Sequence, residues 1–225
     1  MKNKILAYII NICFIIFTFI AALDFICFNK PFYNHEYKAN NVYETIGISY
    51  EDLDLVSDNL FAYLKDEKSD FNTEVMINDQ KVMMFNQREI DHMVDVKDLY
   101  LKVKDVASIS GYILIIAVVF YVNQNKEIFK GLKKSFKKVI LTLGAMVSAL
   151  LIYALIDFYN FWNMFHEIFF NNDLWLLNPL TDRMILMVPQ KFFFDLIMMI
   201  LVVFVILILI YYFIINFMEK REIQK

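Results

Sequence analysis

The sequence predicts an integral membrane protein, mainly α-helical, with four transmembrane helices and a small extracellular α(+β) cap. Of its 225 residues, 59% are hydrophobic and 17% aromatic, whereas an ordinary soluble domain is roughly 45–50% apolar. The excess is gathered into four blocks near the ~20 apolar residues that a bilayer core requires. Lysines crowd the connections that four spans would place on one face of the membrane, as the positive-inside bias demands. Four glycines and three prolines in the whole chain argue against a loop-rich sandwich, a collagen-like chain or a glycine-cradled nucleotide site.

The spans are read at residues 5–28, 106–122, 139–158 and 192–217. The second is the shortest and contains Ser108, Ser110 and Gly111. The first follows Lys2 and Lys4 but is longer than the 7–15 apolar residues of a cleavable signal. Cys27 follows the bulky Ile26, where a lipobox wants a small residue, so an uncleaved anchor is expected. Cys13 and Cys27 share this span too far apart to bridge and read as small apolar fillers.

The basic loop at residues 123–138 carries Lys126, Lys130, Lys133, Lys134, Lys137 and Lys138 against Glu127 alone. The N-terminus adds Lys2 and Lys4, and the tail at residues 218–225 adds Lys220, Arg221 and Lys225. Both termini are therefore expected in the cytoplasm. The opposite side receives residues 29–105 and 159–191. The first of these has a net charge of −7, poor for a cytoplasmic loop and poor for nucleic acid, which is not expected as a partner.

Within the cap, Leu53, Val56, Leu60 and Leu64 recur at helical spacing over Tyr50–Lys65. Val75–Phe85 is two apolar runs around Asn78-Asp79, a hairpin signal. Gln87–Lys104 reads as a helix running towards, or into, the second span. Residues 159–191 form an extracellular aromatic interfacial segment, an interfacial helix or re-entrant element roofing a pocket. An aromatic belt explains its rings but not His166 and Glu167 among them.

The three histidines, His35, His92 and His166, all fall on the outer side, and imidazole is the side chain most readily used as acid or base near neutral pH. His35 sits in the polar stretch PFYNHEYK and reads as a surface residue. On a helix His92 shares a face with Arg88, Glu89 and Asp95, which suits either a general base or a solvated charged face. His166 has Trp162 at i−4 with Phe169 and Phe170 at i+3 and i+4, so it is either a packed structural histidine or a functional ionisable group at membrane depth. Glu89-x-x-His92 is half of a di-iron motif, but Asn163 stands where the second copy needs a carboxylate and HExxH is absent, so no metal is expected. There is no GxSxG elbow and no P-loop. An enzyme built this way would use acid–base chemistry without a covalent intermediate.

Two blocks carry a resemblance. Phe85–Leu99, FNQREIDHMVDVKDL, resembles the signature of the lipoprotein intramolecular transacylase (Lit) family of Gram-positive bacteria. Phe165–Asp195, FHEIFFNNDLWLLNPLTDRMILMVPQKFFFD, is similar to that family's second block. The resemblance implies four spans under an extracellular cap in the bacterial cell membrane, with catalytic histidines falling on His92 and His166; no cofactor is expected. It implies transfer of an acyl chain from the sn-2 ester of a diacylglyceryl-modified lipoprotein to the α-amine of its N-terminal cysteine, giving a lyso-form product. Supporting residues are expected at Arg88, Glu89, Asp95, Lys97, Asn172 and Asp182. A pocket for substrate and membrane lipid is expected at Trp162, Phe165, Phe169 and Trp175. Arg88, Lys97, Asn172 and Arg183 are all eligible oxyanion donors, and the sequence leaves open which histidine is base and which acid. A non-catalytic four-span accessory or sensor protein, and a different lipid-modifying enzyme, are the alternative readings.

Overall fold

The computed structural model describes residues 2–124 and 127–224. Lys126 and Lys225, counted above among the cytoplasmic charges, lie outside the described residues. The elements in chain order are α1 (Lys2–Cys27), α2 (Lys30–Ala39), α3 (Val42–Ile46), α4 (Tyr50–Leu64), β1 (Glu74–Ile77), β2 (Gln80–Met83), α5 (Gln87–Gln124), α6 (Ile128–Ile156), α7 (Phe158–Phe169), α8 (Met184–Met187) and α9 (Gln190–Ile223). The chain divides into two compact units, one of Met1–Asp24, Lys104–Asp157 and Met199–Lys225, the other of Phe25–Val103 and Phe158–Met198.

Four helices, α1, α5, α6 and α9, are long and apolar enough to cross a membrane, and the first unit holds all of α6 and the larger part of each of the others. Hydrocarbon offers no partner to a backbone amide, so helices that bond internally are the form this sequence can take there. Ile109, Ile115, Leu150, Ile206 and Phe213 point outward, as side chains solvated by lipid should. Ile15, Phe136, Val139, Ile208 and Ile215 pack inside. A polar tie joins three helices: Asn11 donates to Ser135 Oγ at 2.7 Å and accepts from the Tyr211 hydroxyl at 2.9 Å. Interhelical bonds of this kind contribute about 0.6–2 kcal/mol each in a bilayer.

The basic segment departs from the sequence expectation. α6 begins at Ile128, so Lys130, Lys133, Lys134, Lys137 and Lys138 ride on its opening turns and not on a loop. The cause is a cap from far along the chain. The Glu222 carboxylate accepts from the backbone N–H groups of Ile128 (2.6 Å), Phe129 (3.1 Å) and Lys130 (3.4 Å), neutralising the orphan donors of a helix start. Lys133 pairs with Glu219 and donates to Asn216 Oδ1 at 2.7 Å. The supposed tail is helical as well, since α9 continues to Ile223.

In the second unit, the polar stretch around His35 is a helix, α2. Asn29 caps it by accepting from Phe32 N–H at 3.0 Å, and Pro31 sits in its first turn, where the missing N–H costs nothing. Its inner face carries Tyr33 against Phe61 (4.7 Å between centroids) and Phe192 (4.9 Å). Tyr37 is fully buried, with its hydroxyl 2.9 Å from Ser57 Oγ on α4.

The hairpin forms as expected, with Glu74 opposite Met83 and Ile77 opposite Gln80. Asn78 (φ 48°) and Asp79 (φ 62°) both take the left-handed conformation, the pairing that a two-residue turn between twisted strands requires. Gly47 ends α3 at φ 75°, and a Cβ there would lie 2.3 Å from Asn78 Oδ1. A side chain at this position would be strained by the positive φ and would push the Asn78 side chain aside.

Candidate active site

The start of α5 is fixed by a reciprocal cap. Asn86 Oδ1 accepts from Glu89 N–H at 3.1 Å, and Glu89 Oε2 accepts from Asn86 N–H at 2.8 Å, the two-way arrangement of a capping box. Glu89 also reaches across the fold: its Oε1 accepts from Met184 N–H at 2.5 Å, which starts α8. This carboxyl is 1% exposed. Burial raises its pKa, opposed by the backbone donors of Asn86 and Met184.

Residues 178–184 are tied to the same place. Asp182 accepts from Asn86 Nδ2 (2.7 Å), Asn178 N–H (2.6 Å) and the Thr181 hydroxyl (2.9 Å). Burial pushes its carboxyl up, but those donors and the Arg88 charge outweigh it and hold the group below the usual carboxylate range. Arg183 Nη1 donates to the carbonyls of Met83 and Met84, both at 3.1 Å. The first turns of α5 are thereby clamped between hairpin and α8, with His92 on the next turn.

His92 and His166 face one another with ring centroids 6.1 Å apart, and each is 7% exposed. Trp175 stacks on His166 at 4.8 Å, while Trp162 and Phe165 meet it edge-on at 4.8 and 5.5 Å. Phe170 contacts both imidazoles, at 5.4 and 5.6 Å. His166 Nδ1 lies 2.7 Å from the Trp162 carbonyl oxygen. A carbonyl only accepts, so Nδ1 carries the hydrogen and neutral His166 keeps its lone pair on Nε2.

The electrostatics follow from this apolar shell. Burial, with smaller repulsion from His166 and Arg88 against the attraction of Asp95, lowers the pKa of His92 to about 4. Burial also lowers that of His166, which the Trp162 carbonyl partly offsets. Both rings are neutral near pH 7, and a proton on one opposes a proton on the other. The pair can accept one proton and pass it on.

The other expected residues divide. Asp95 accepts from Asn172 Nδ2 at 2.8 Å, tying α5 to the turn after α7. Arg88 Nη2 donates to the Asp173 backbone carbonyl, with the Asp173 carboxylate 3.5 Å away. Lys97 points elsewhere, paired with Asp66 at 2.6 Å and lying over the Tyr63 ring. Phe169 packs on Phe165 at 4.9 Å but is half exposed. His35 is exposed on α2. Phe170 and Asn86 were missing from the expected set. Phe170 was signalled by its place one turn beyond His166, and Asn86 by the Asn-x-x-Glu spacing of a cap. Among the described residues, no three His, Cys, Asp or Glu side chains converge as metal ligands.

No curated protein matches the chain. Among solved structures, the membrane-integral lipoprotein intramolecular transacylase Lit from Bacillus cereus superposes with a TM-score of 0.79 at 19% identity, covering 100% of this chain and 99% of that one. Forms of the same protein with a histidine replaced by alanine or by arginine superpose at 0.76 and 0.73, again at 19% identity, covering all of this chain and 96% and 95% of theirs. At that identity the likeness speaks for the fold. The sequence itself matches the family described as lipoprotein intramolecular transacylase Lit over residues 8–193, which takes in both motif blocks up to Phe193 and the whole of the histidine site. The chain thus belongs to the Lit family, as a membrane-integral transacylase of lipoproteins.

Proposed function

We propose that the protein moves the sn-2 acyl chain of a diacylglyceryl lipoprotein onto the α-amine of that lipoprotein's own N-terminal cysteine, with His92 and His166 as the acid–base pair. The observation that carries this reading is the buried, neutral imidazole pair in an aromatic shelf. The amine attacks the ester carbonyl, an N–C bond forms, and the C–O bond to the glyceryl group breaks. His166, whose Nδ1–H is held by the Trp162 carbonyl so that Nε2 is unprotonated, takes the amine proton, and the pair returns a proton to the departing glyceryl oxygen. The substrate brings its own nucleophile, so no serine or cysteine is required. Holding amine and ester together supplies much of the rate, and Trp162, Phe165, Phe170 and Trp175 hold the chain and keep out water that would hydrolyse it.

On this reading residues 29–105 and 159–191 face the outside of the cell membrane, where lipoproteins are displayed, and both termini face the cytoplasm. The test is mass spectrometry of lipoproteins from a host whose only such activity is this protein. His92→Ala and His166→Ala should each lower lyso-form output by about 10²–10⁴-fold, while His35→Ala leaves it unchanged. Near-normal output from either of the first two would overturn the assignment.

A further inference from the structure

We propose that Arg88 supplies the oxyanion donor of the reaction, its Nε–H bonding the negatively charged oxygen of the tetrahedral intermediate; the inference rests on acyl transfer at the histidine pair. Among the described residues, two buried side-chain nitrogens have no hydrogen-bond partner, Arg88 Nε and His92 Nδ1. A buried polar group without a partner is costly, more so when charged, and an unpaired one points to a partner that arrives from outside the chain. These two lie at i and i+4, on one face of α5. One is a cationic donor and the other a nitrogen of the acid–base pair, so the unpaired groups stand where the ester is to react.

The geometry favours Arg88 over its rivals. Lys97 is committed to Asp66, Arg183 to the carbonyls of Met83 and Met84, and Asn172 to Asp95. One end of the Arg88 fork is taken, Nη2 by the Asp173 carbonyl with the Asp173 carboxylate 3.5 Å away, while the buried Nε has no partner. One turn of α5 separates the guanidinium from His92, which places it beside the acid–base pair. When the amine adds, the carbonyl π electrons move onto oxygen. Arg88 bonds that oxygen until it re-forms the carbonyl and expels the glyceryl oxygen. A guanidinium never loses its proton in this range, so it stabilises the intermediate without joining the proton transfer.

The experiment uses full-length protein in proteoliposomes, a synthetic diacylglyceryl lipopeptide as substrate, and a dialkyl-ether lipopeptide without a carbonyl as a binding probe. Arg88→Gln removes the donor and the charge, and Arg88→Lys keeps the charge but loses Nε–H. Both should lower kcat by about 10²–10³-fold, the cost of one oxyanion donor, with KM and ether-probe affinity unchanged. A kcat close to wild type in either variant would overturn the proposal, as would ether-probe binding that falls in step with kcat. Failure of the underlying reading looks different: the unaltered protein would then form no N-acylated peptide.

Discussion

Glu89→Ala tests whether the carboxyl beneath the histidine pair is the clamp described above. Its two oxygens satisfy two backbone donors, Met184 N–H in a fully buried position and Asn86 N–H in a partly buried one. Leaving the first unpaired costs about 2 kcal/mol, and losing the cap at the second about 1 kcal/mol, for a sum of about 3 kcal/mol. Spread over the second unit, that lowers the unfolding midpoint by roughly 10 °C. Glu89→Gln keeps one acceptor and should lose about half as much. The protein's two tryptophans, Trp162 and Trp175, both belong to that unit, so intrinsic fluorescence during heating of the detergent-solubilised protein reads it directly. A Glu89→Ala midpoint within about 2 °C of wild type would show that the two backbone amides are satisfied some other way.

Acid sensitivity follows from the lowered histidine values. The folded state binds fewer protons than the unfolded state between pH 6.5 and 4, so the His92 contribution is complete above 6.5 and lost as pH falls, by about 3 kcal/mol in all; the midpoint should fall less over that range in His92→Gln, and equal slopes would refute the assignment. Sidedness is testable with single cysteines at Glu67 and Lys137, both exposed: an impermeant thiol reagent added to intact cells should label the first and miss the second, and the reverse would sink the topology.

Much of the fold was legible because it obeys local rules. Apolar blocks marked the four helices long enough to cross a membrane, Asn78-Asp79 set the hairpin turn, and the periodicity of Leu53, Val56, Leu60 and Leu64 set α4. The run from Gln87 into the second span emerged as one continuous helix. α2 was missed although its signal was local, with Asn29 and Pro31 marking the start, because its polar surface hid the face that Tyr33 and Tyr37 bury. The start of α6 was not readable at all, since its cap, Glu222, lies more than ninety residues away.

The site divides in the same way. The faces of His92 and His166 followed from helical spacing. Their meeting, the Trp175 stack and the bond from Met184 to Glu89 depend on the chain returning from residues 166–184. Lys97 belongs to the motif block that carries the family resemblance, yet five positions after His92 it turns to another face of α5 and finds Asp66.

The most direct test of acyl transfer within one lipoprotein is a crossover experiment with purified protein. One lipopeptide carries a deuterated acyl chain at sn-2 only, and a second, of different peptide mass, carries unlabelled chains. Amine and ester in one molecule react at an effective concentration that can reach about 10⁵ M in well-oriented systems. The label should therefore appear on the amine of the peptide that brought it, leaving a lyso-glyceryl group behind. Deuterated chain on the second peptide's amine, or retained on the glycerol of an N-acylated product, would contradict the account.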